Sequence, residues 1–249
     1  MTSLNVSIVG AEGSGKTTFA TLLYLTQVER AMMSSQNSGF RFYAEPTQLK
    51  IIQKLYAQIR AGSWPSLPLG VPRISFSYLY SQKSGIISKI FRKDQTAQIA
   101  FNAYFLGTNA LLENIDRPPY QKTLADDAFI FLIDASKVFE NEPQEDQSLC
   151  SLLKRIWESV GSRRADKKCN IIFLITKLDM VERDVFMKLG IASEPPQLIE
   201  ACLRKEYGEK LMGAIYPQTS EFVKNYIAPN DTFQPTSYFF SWVGTRFSE

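Results

Sequence analysis

Gly10-Ala11-Glu12-Gly13-Ser14-Gly15-Lys16-Thr17 sets two glycines, a lysine and a hydroxyl at the spacing G-x-x-x-x-G-K-[ST], with Gly13 as an additional glycine. The glycines let successive backbone N–H groups turn inward into a concave anion site, where a Cβ would clash. Lys16 would reach the outer phosphates of a bound polyphosphate, and the Thr17 hydroxyl would ligate Mg²⁺. A helix beginning at this point adds its unpaired first amides, Thr18 included, and the positive end of its dipole. Residues 10–18 therefore read as a cradle for a nucleoside triphosphate.

Two further constellations lie downstream. Thr176-Lys177-Leu178-Asp179 follows the apolar run 171–175, and Asp134 closes the apolar run 129–133. An aspartate ending a buried strand suits either a metal ligand of Walker B type, acting through the metal's outer shell, or a cap on the next turn. Both readings stay open. No histidine occurs in the chain, which excludes histidine bases, Ser-His-Asp triads and histidine metal sites.

These residues need elements to hold them. Residues 4–9 form a short apolar strand, and residues 16–31 a helix with Phe19, Leu22, Leu23 and Val28 inward. Residues 32–40 are polar and serine-rich. Residues 46–61 carry Leu49, Ile52, Leu55, Tyr56 and Ile59 at helical spacing, between Pro46 and Gly62. The Gly/Pro-punctuated segment 62–72 reads as a loop. Residues 73–80 and 97–106 alternate apolar and polar side chains as the arms of an antiparallel hairpin, and 81–96, with Lys83, Lys89, Arg92 and Lys93, reads as a long tip or an additional strand, in either case a solvated basic edge. The runs 129–133 and 171–175 look like central parallel strands buried on both faces. A helix over 145–160 separates them. Residues 179–226 are mostly helical, and a last strand spans 237–242. The pattern predicts an α/β fold of P-loop type: a mostly parallel central sheet with one antiparallel hairpin arm, helices on both faces, and a single domain over 1–249 with an inserted helical and loop segment at about 33–72.

Composition sets outer limits. The 249 residues are 45% hydrophobic and 21% charged, ordinary for a soluble globular chain, and a formal charge of +3 argues for neither nucleic acid nor an anionic membrane. Three cysteines, Cys150, Cys169 and Cys202, lack metal-ligand spacing and read as thiols of a reducing compartment. No signal-peptide pattern or run of ~20 apolar residues is present. A cytoplasmic location is expected.

In this order along the chain, the phosphate loop and Thr176-Lys177-Leu178-Asp179 resemble the P-loop GTPases, whose guanine-specificity motif is usually Asn-Lys-x-Asp and takes a Thr-Lys-x-Asp form in some members. The resemblance implies that Asp179 accepts hydrogen bonds from guanine and that the Lys177 stem lies over the base. A carboxylate so placed would discriminate against adenine by on the order of 10⁴-fold. It also implies that Ser241, Trp242 and Val243 form the short loop whose backbone meets guanine O6. The helix before Gly62-Ser63-Trp64-Pro65 is similar to bacterial members with an elaborated first switch.

The same resemblance exposes a departure. The family carries Asp-x-x-Gly after the hairpin's second strand, with the Asp on the Mg²⁺ shell and the Gly amide sensing the γ-phosphate. Here the stretch is Tyr104-Phe105-Leu106-Gly107. Gly107 keeps the amide, but Tyr104 offers no carboxylate, and Thr108 stands where Ras-like members place the water-orienting glutamine. No first-switch ligand stands out among Thr47, Ser63 and Ser66, and no catalytic residue is assigned. The expected function is a GTP/GDP-binding switch with Mg²⁺, slow in hydrolysis or dependent on a protein partner, whose arginine could supply ~10³–10⁵ in rate. Residues 62–72 and 107–114 are the expected switches. The alternatives are a nucleotide-holding pseudo-GTPase scaffold, or an ATP-dependent protein using Asp134 in the Walker B role.

Overall fold

The computed structural model describes residues 2–33, 40–65, 71–81, 96–118, 120–138, 143–162, 168–181, 183–190 and 201–241. The chain divides into two compact units. One comprises Met1–Ile8 and Lys16–Phe105, the other Val9–Gly15 and Leu106–Glu249.

The first unit holds strands β1 (Thr2–Gly10, which runs on into the second unit at Val9), β2 (Phe40–Tyr43), β3 (Arg73–Ser81) and β4 (Thr96–Tyr104), with helices α1 (Lys16–Met33) and α2 (Pro46–Arg60). The strand order is β2-β3-β4-β1. β1 lies parallel to β4, from Thr2↔Ala97 to Ile8↔Ala103. β3 is antiparallel to β4, from Arg73↔Tyr104 to Ser81↔Thr96, and β2 is antiparallel to β3. β3 is thus the one reversed strand of this unit. The expected hairpin is present; its basic tip at 82–95 lies outside the described residues. The alternation in β3 buries Ile74 and Phe76, and an aromatic cluster of Tyr24, Phe76, Tyr78 and Phe101 fills the space beneath. Tyr78 donates its hydroxyl to the Leu23 carbonyl at 2.9 Å, tying α1 to the sheet. α2 starts at Pro46, whose missing N–H costs nothing in a first turn, and stops before Gly62 at φ 72°.

β2 is the element that the sequence does not announce. Only four residues long, it continues a polar, serine-rich stretch, and its Phe/Arg/Phe/Tyr alternation is too brief to stand out.

The second unit holds β5 (Ala128–Asp134), β6 (Asn170–Thr176) and β7 (Ser237–Phe240), all parallel and in that order. Its helices are α3 (Thr108–Asn114), α4 (Pro143–Gly161), α5 (Arg183–Lys188), α6 (Ala201–Ile215) and α7 (Pro217–Phe222), the last running into a π turn over Val223–Ile227. β5 and β6 are buried almost throughout, as their unbroken apolar runs require. Phe129, Phe131, Phe173 and Tyr238 stack from strand to strand at centroid spacings of 5.5–6.1 Å. α4 presents Leu149, Leu152, Leu153, Ile156 and Val160 to this core. Buried Asp146 accepts from the amides of Gln218 and Thr219 and from the Thr219 hydroxyl at 2.7–2.9 Å, capping the start of α7.

The chain is therefore α/β, with seven strands in a mixed, mainly parallel arrangement and helices around it, the class that the sequence predicts. Among the described residues no helix is long and apolar enough to cross a membrane.

Candidate nucleotide site

β1 ends at Gly10 and α1 begins at Lys16, so the glycine loop joins strand to helix without a spare residue. Gly13 (φ 77°) and Gly15 (φ 90°) adopt left-handed backbone with open space where a Cβ would stand. Backbone conformation, not crowding, demands glycine there. Gly10 is the opposite case: a Cβ would meet the Leu132 carbonyl at 2.6 Å and the Ser14 Oγ at 2.8 Å. The Ser14 amide donates to the Ala11 carbonyl at 3.3 Å, closing the turn. Ser14 Oγ is buried and meets no hydrogen-bond partner among the described residues. An orphaned hydroxyl inside an amide-rich turn is the feature a bound anion would satisfy.

Lys16 is only 5% exposed. Glu12 and Gly13 reach solvent, Ala11 is buried, and Thr17 and Thr18 are half-buried in the first turn of α1. That turn carries no acidic side chain, which keeps its dipole end electropositive.

Gly107 approaches the phosphate loop. A Cβ on it would come within 3.3 Å of the Glu12 amide nitrogen, and its own backbone leads into α3. The segment 107–114, read from sequence as a switch, is a short helix with Thr108 and Leu111 buried. Tyr104, 1% exposed, accepts from the Arg73 guanidinium at 3.4 Å, and that guanidinium lies 6.0 Å from the ring centroid. A phenol paired with a cation occupies the position where a carboxylate is expected.

The second motif sits at the carboxyl ends of β5 and β6, whose register pairs Asp134 with Thr176. Thr176 is buried, and its hydroxyl lies 3.0 Å from the Ser14 carbonyl and 3.2 Å from the Ile133 carbonyl, sharing one proton between them. Thr176 therefore straps its own loop to the phosphate loop. Lys177 is left-handed (φ 57°, ψ 35°), the one non-glycine described residue with positive φ. Its ammonium meets Asp134 Oδ2 at 2.5 Å. Asp134, 2% exposed, also accepts through Oδ1 from the Ser136 amide at 3.1 Å and the Ser136 hydroxyl at 2.6 Å. Asp179 is exposed in a 3₁₀ turn over Leu178–Met180. The Ser241 amide donates to the Ile175 carbonyl at 2.8 Å, extending the β6–β7 pairing, while Trp242 and Val243 lie outside the described residues.

No family model matches the chain, and no curated protein matches it. Solved structures similar to it include the signal recognition particle receptor SRb-GTP/SRX complex from Chaetomium thermophilum, at 14% identity over 98% of this chain and 93% of that one, with a TM-score of 0.43. Another is the S. cerevisiae Ski7 GTPase-like domain, bound to GDP and inorganic phosphate, at 10% identity over all of this chain and 47% of that one, with a TM-score of 0.42. Likeness this distant carries nothing about individual residues, whose roles rest on the geometry above.

The second unit thus brings together Gly10–Gly15, Gly107, Asp134, Thr176 and Lys177. Lys16, Thr17 and Thr18 follow the loop directly in the chain. Of the first-switch residues, Thr47 is exposed in the first turn of α2, Ser63 is exposed past its end, and Ser66 lies outside the described residues. The donor set suits a polyphosphate. For Mg²⁺ it is sparse: Thr17 offers a hydroxyl, both Asp134 oxygens are engaged, and no group of three Cys, Asp or Glu forms a metal cluster among the described residues. The pairing of Asp134 with Lys177 escapes sequence reasoning, because the two lie 43 residues apart and only the strand register aligns them.

Proposed function

We propose that the chain binds a guanine nucleotide, with the phosphates on residues 10–18 and the base against Lys177 and Asp179. One observation carries the reading: the Thr176 hydroxyl on the Ser14 carbonyl, 162 residues earlier, joins the two motifs into one structure. The left-handed glycines give the loop the backbone that an amide nest requires, the buried Ser14 hydroxyl lacks a protein partner among the described residues, and Lys16 is a buried cation. Asp179 is exposed in the turn after β6, where its carboxylate can be reached by the two N–H donors of guanine.

Thr17 would hold Mg²⁺ together with phosphate oxygens, and the metal would supply charge neutralisation at the phosphates. The engagement of both its oxygens weighs against Asp134 as a metal ligand, and with it against the ATP-dependent alternative. Tyr104 leaves the site without a carboxylate at the usual position, which favours slow turnover or a scaffold that holds its nucleotide. Hydrolysis, where it occurs, is attack of water on the γ-phosphate with help from a protein partner. Trp64, 85% exposed beside the glycine that ends α2, offers such a partner a large apolar contact.

Competition calorimetry with GTP, GDP and ATP tests the reading. The intact chain should prefer guanine, and Asp179→Ala should erase most of that preference, on the order of 10³-fold or more, while leaving the affinity for ATP nearly unchanged. An unaltered base preference would remove Asp179 from the site.

A further inference from the structure

We propose that Asp134 is a positioning residue: it pins the ammonium of Lys177 so that the apolar lysine stem stands as a fixed platform for the flat face of a nucleobase. The inference deepens the nucleotide reading above and rests on it.

Three contacts define the carboxylate. Oδ1 takes two hydrogen bonds from Ser136, at 3.1 and 2.6 Å, and Oδ2 takes the Lys177 ammonium. The Ser136 bonds fix the carboxylate plane, since an acceptor held by both an amide and a hydroxyl cannot rotate freely. At its other end Lys177 is held by a left-handed backbone between β6 and the following 3₁₀ turn. A lysine fastened at both ends has lost its rotamer freedom on folding, not on ligand binding. What remains between the anchors is a chain of methylenes, half-exposed, with its charge already neutralised. Such a surface attracts an apolar plane rather than a phosphate. Pre-ordering one long side chain is worth about a tenfold gain in affinity.

Asp134→Asn isolates the effect, because its amide oxygen can still accept from Ser136 while the charge holding Lys177 disappears. Binding of GDP and GTP to the intact chain is measured by calorimetry, in Mg²⁺ and again in EDTA. The expected result is about a tenfold loss for both nucleotides, by the same factor with and without the metal. In a Lys177→Met background, Asp134→Asn should cause no further loss, since the platform no longer needs a counter-charge. The double variant buries no unpaired charge, so it is read directly against the parent should either single variant fold poorly: about a tenfold loss is expected, and a loss of about a hundredfold would mean that the two effects multiply. A loss confined to Mg²⁺ would make Asp134 a metal ligand and overturn the proposal. So would losses that multiply in the double variant, or an Asp134→Asn protein that binds like the parent. Failure of the parent to bind either nucleotide would instead overturn the nucleotide reading.

Discussion

Removal of a single hydroxyl should uncouple the two motifs. Thr176→Val keeps the β-branched shape that suits the end of β6 and deletes the donor that bridges to the Ser14 carbonyl. The lost proton is shared between two acceptors at 3.0 and 3.2 Å, so the change counts as roughly one buried hydrogen bond. Leaving a buried carbonyl without its donor costs about 1–3 kcal/mol. In a chain of this size each kcal/mol moves the melting midpoint by about 2–4 °C, so a fall of about 2–12 °C is expected without nucleotide. Thr176→Ser retains the hydroxyl, and should lose less stability. Calorimetric titration with GDP then reads the coupling: the valine variant should bind about tenfold more weakly, the serine variant nearly as well as the parent. A valine variant melting within about 1 °C of the parent, with unchanged GDP affinity, would show that the strap carries no energy and would refute the reasoning.

Two further outcomes concern the second unit's core and the tyrosines. Gly208 of α6 is buried where a Cβ would stand 2.3 Å from the Tyr238 ring, so Gly208→Ala sets a helix-propensity gain of about 1 kcal/mol against overpacking of about 1–3 kcal/mol. The ring is itself buried and stacked on Phe173, so the clash should win and the urea midpoint should fall; a raised midpoint would contradict this packing. Burial pushes the Tyr207 phenol up to about 12 and raises Tyr238 and Tyr78 as well, with Glu209 and Tyr24 adding smaller effects on those two. A raised folded pKa means that the neutral phenol is favoured in the fold. Its contribution to stability is therefore intact below the unfolded value of about 10 and is lost as pH climbs from 10 through about 12. Phenolate absorbance should show part of the 11 tyrosines ionising late, together with loss of the folded circular-dichroism signal. Ionisation of every tyrosine near pH 10 in a folded chain would rule it out.

Strands buried on two faces announce themselves, and so the runs at 129–133 and 171–175 gave β5 and β6 nearly to the residue, with α4 between them. The alternation at 73–80 and 97–106 located β3 and β4 for a related reason: a half-buried sheet imposes period two. β2 was not legible, because four residues are too few to show a period and its partner β3 begins 30 residues after it ends. The passage from strand through glycine turn to helix was legible because positions 13 and 15 take the left-handed backbone that favours glycine. Thr176 belongs to the expected guanine motif, and its hydroxyl donates to the Ser14 carbonyl, a partner that a resemblance in residue type and position does not supply. The Ser241 amide likewise has a partner that only the fold supplies, the Ile175 carbonyl of β6.

Asp134 shows why such roles need three dimensions. At the end of a buried strand an aspartate can face a metal, a turn or a cation, and nothing within a few residues of it decides which. A cation partner arrives 43 residues later, through a parallel register that sets Asp134 beside Thr176 and so delivers Lys177 one residue beyond. Tyr104 and Arg73 make the complementary case in the first unit, where an antiparallel register sets them opposite each other and a cation meets a phenol at the position expected of a metal-shell carboxylate. Replacing Lys177 alone would leave the buried Asp134 carboxylate without its cation, so that pair is costly to alter singly. If the chain is a switch, loss of the γ-phosphate should be felt at Gly107, whose backbone lies against Glu12 of the loop.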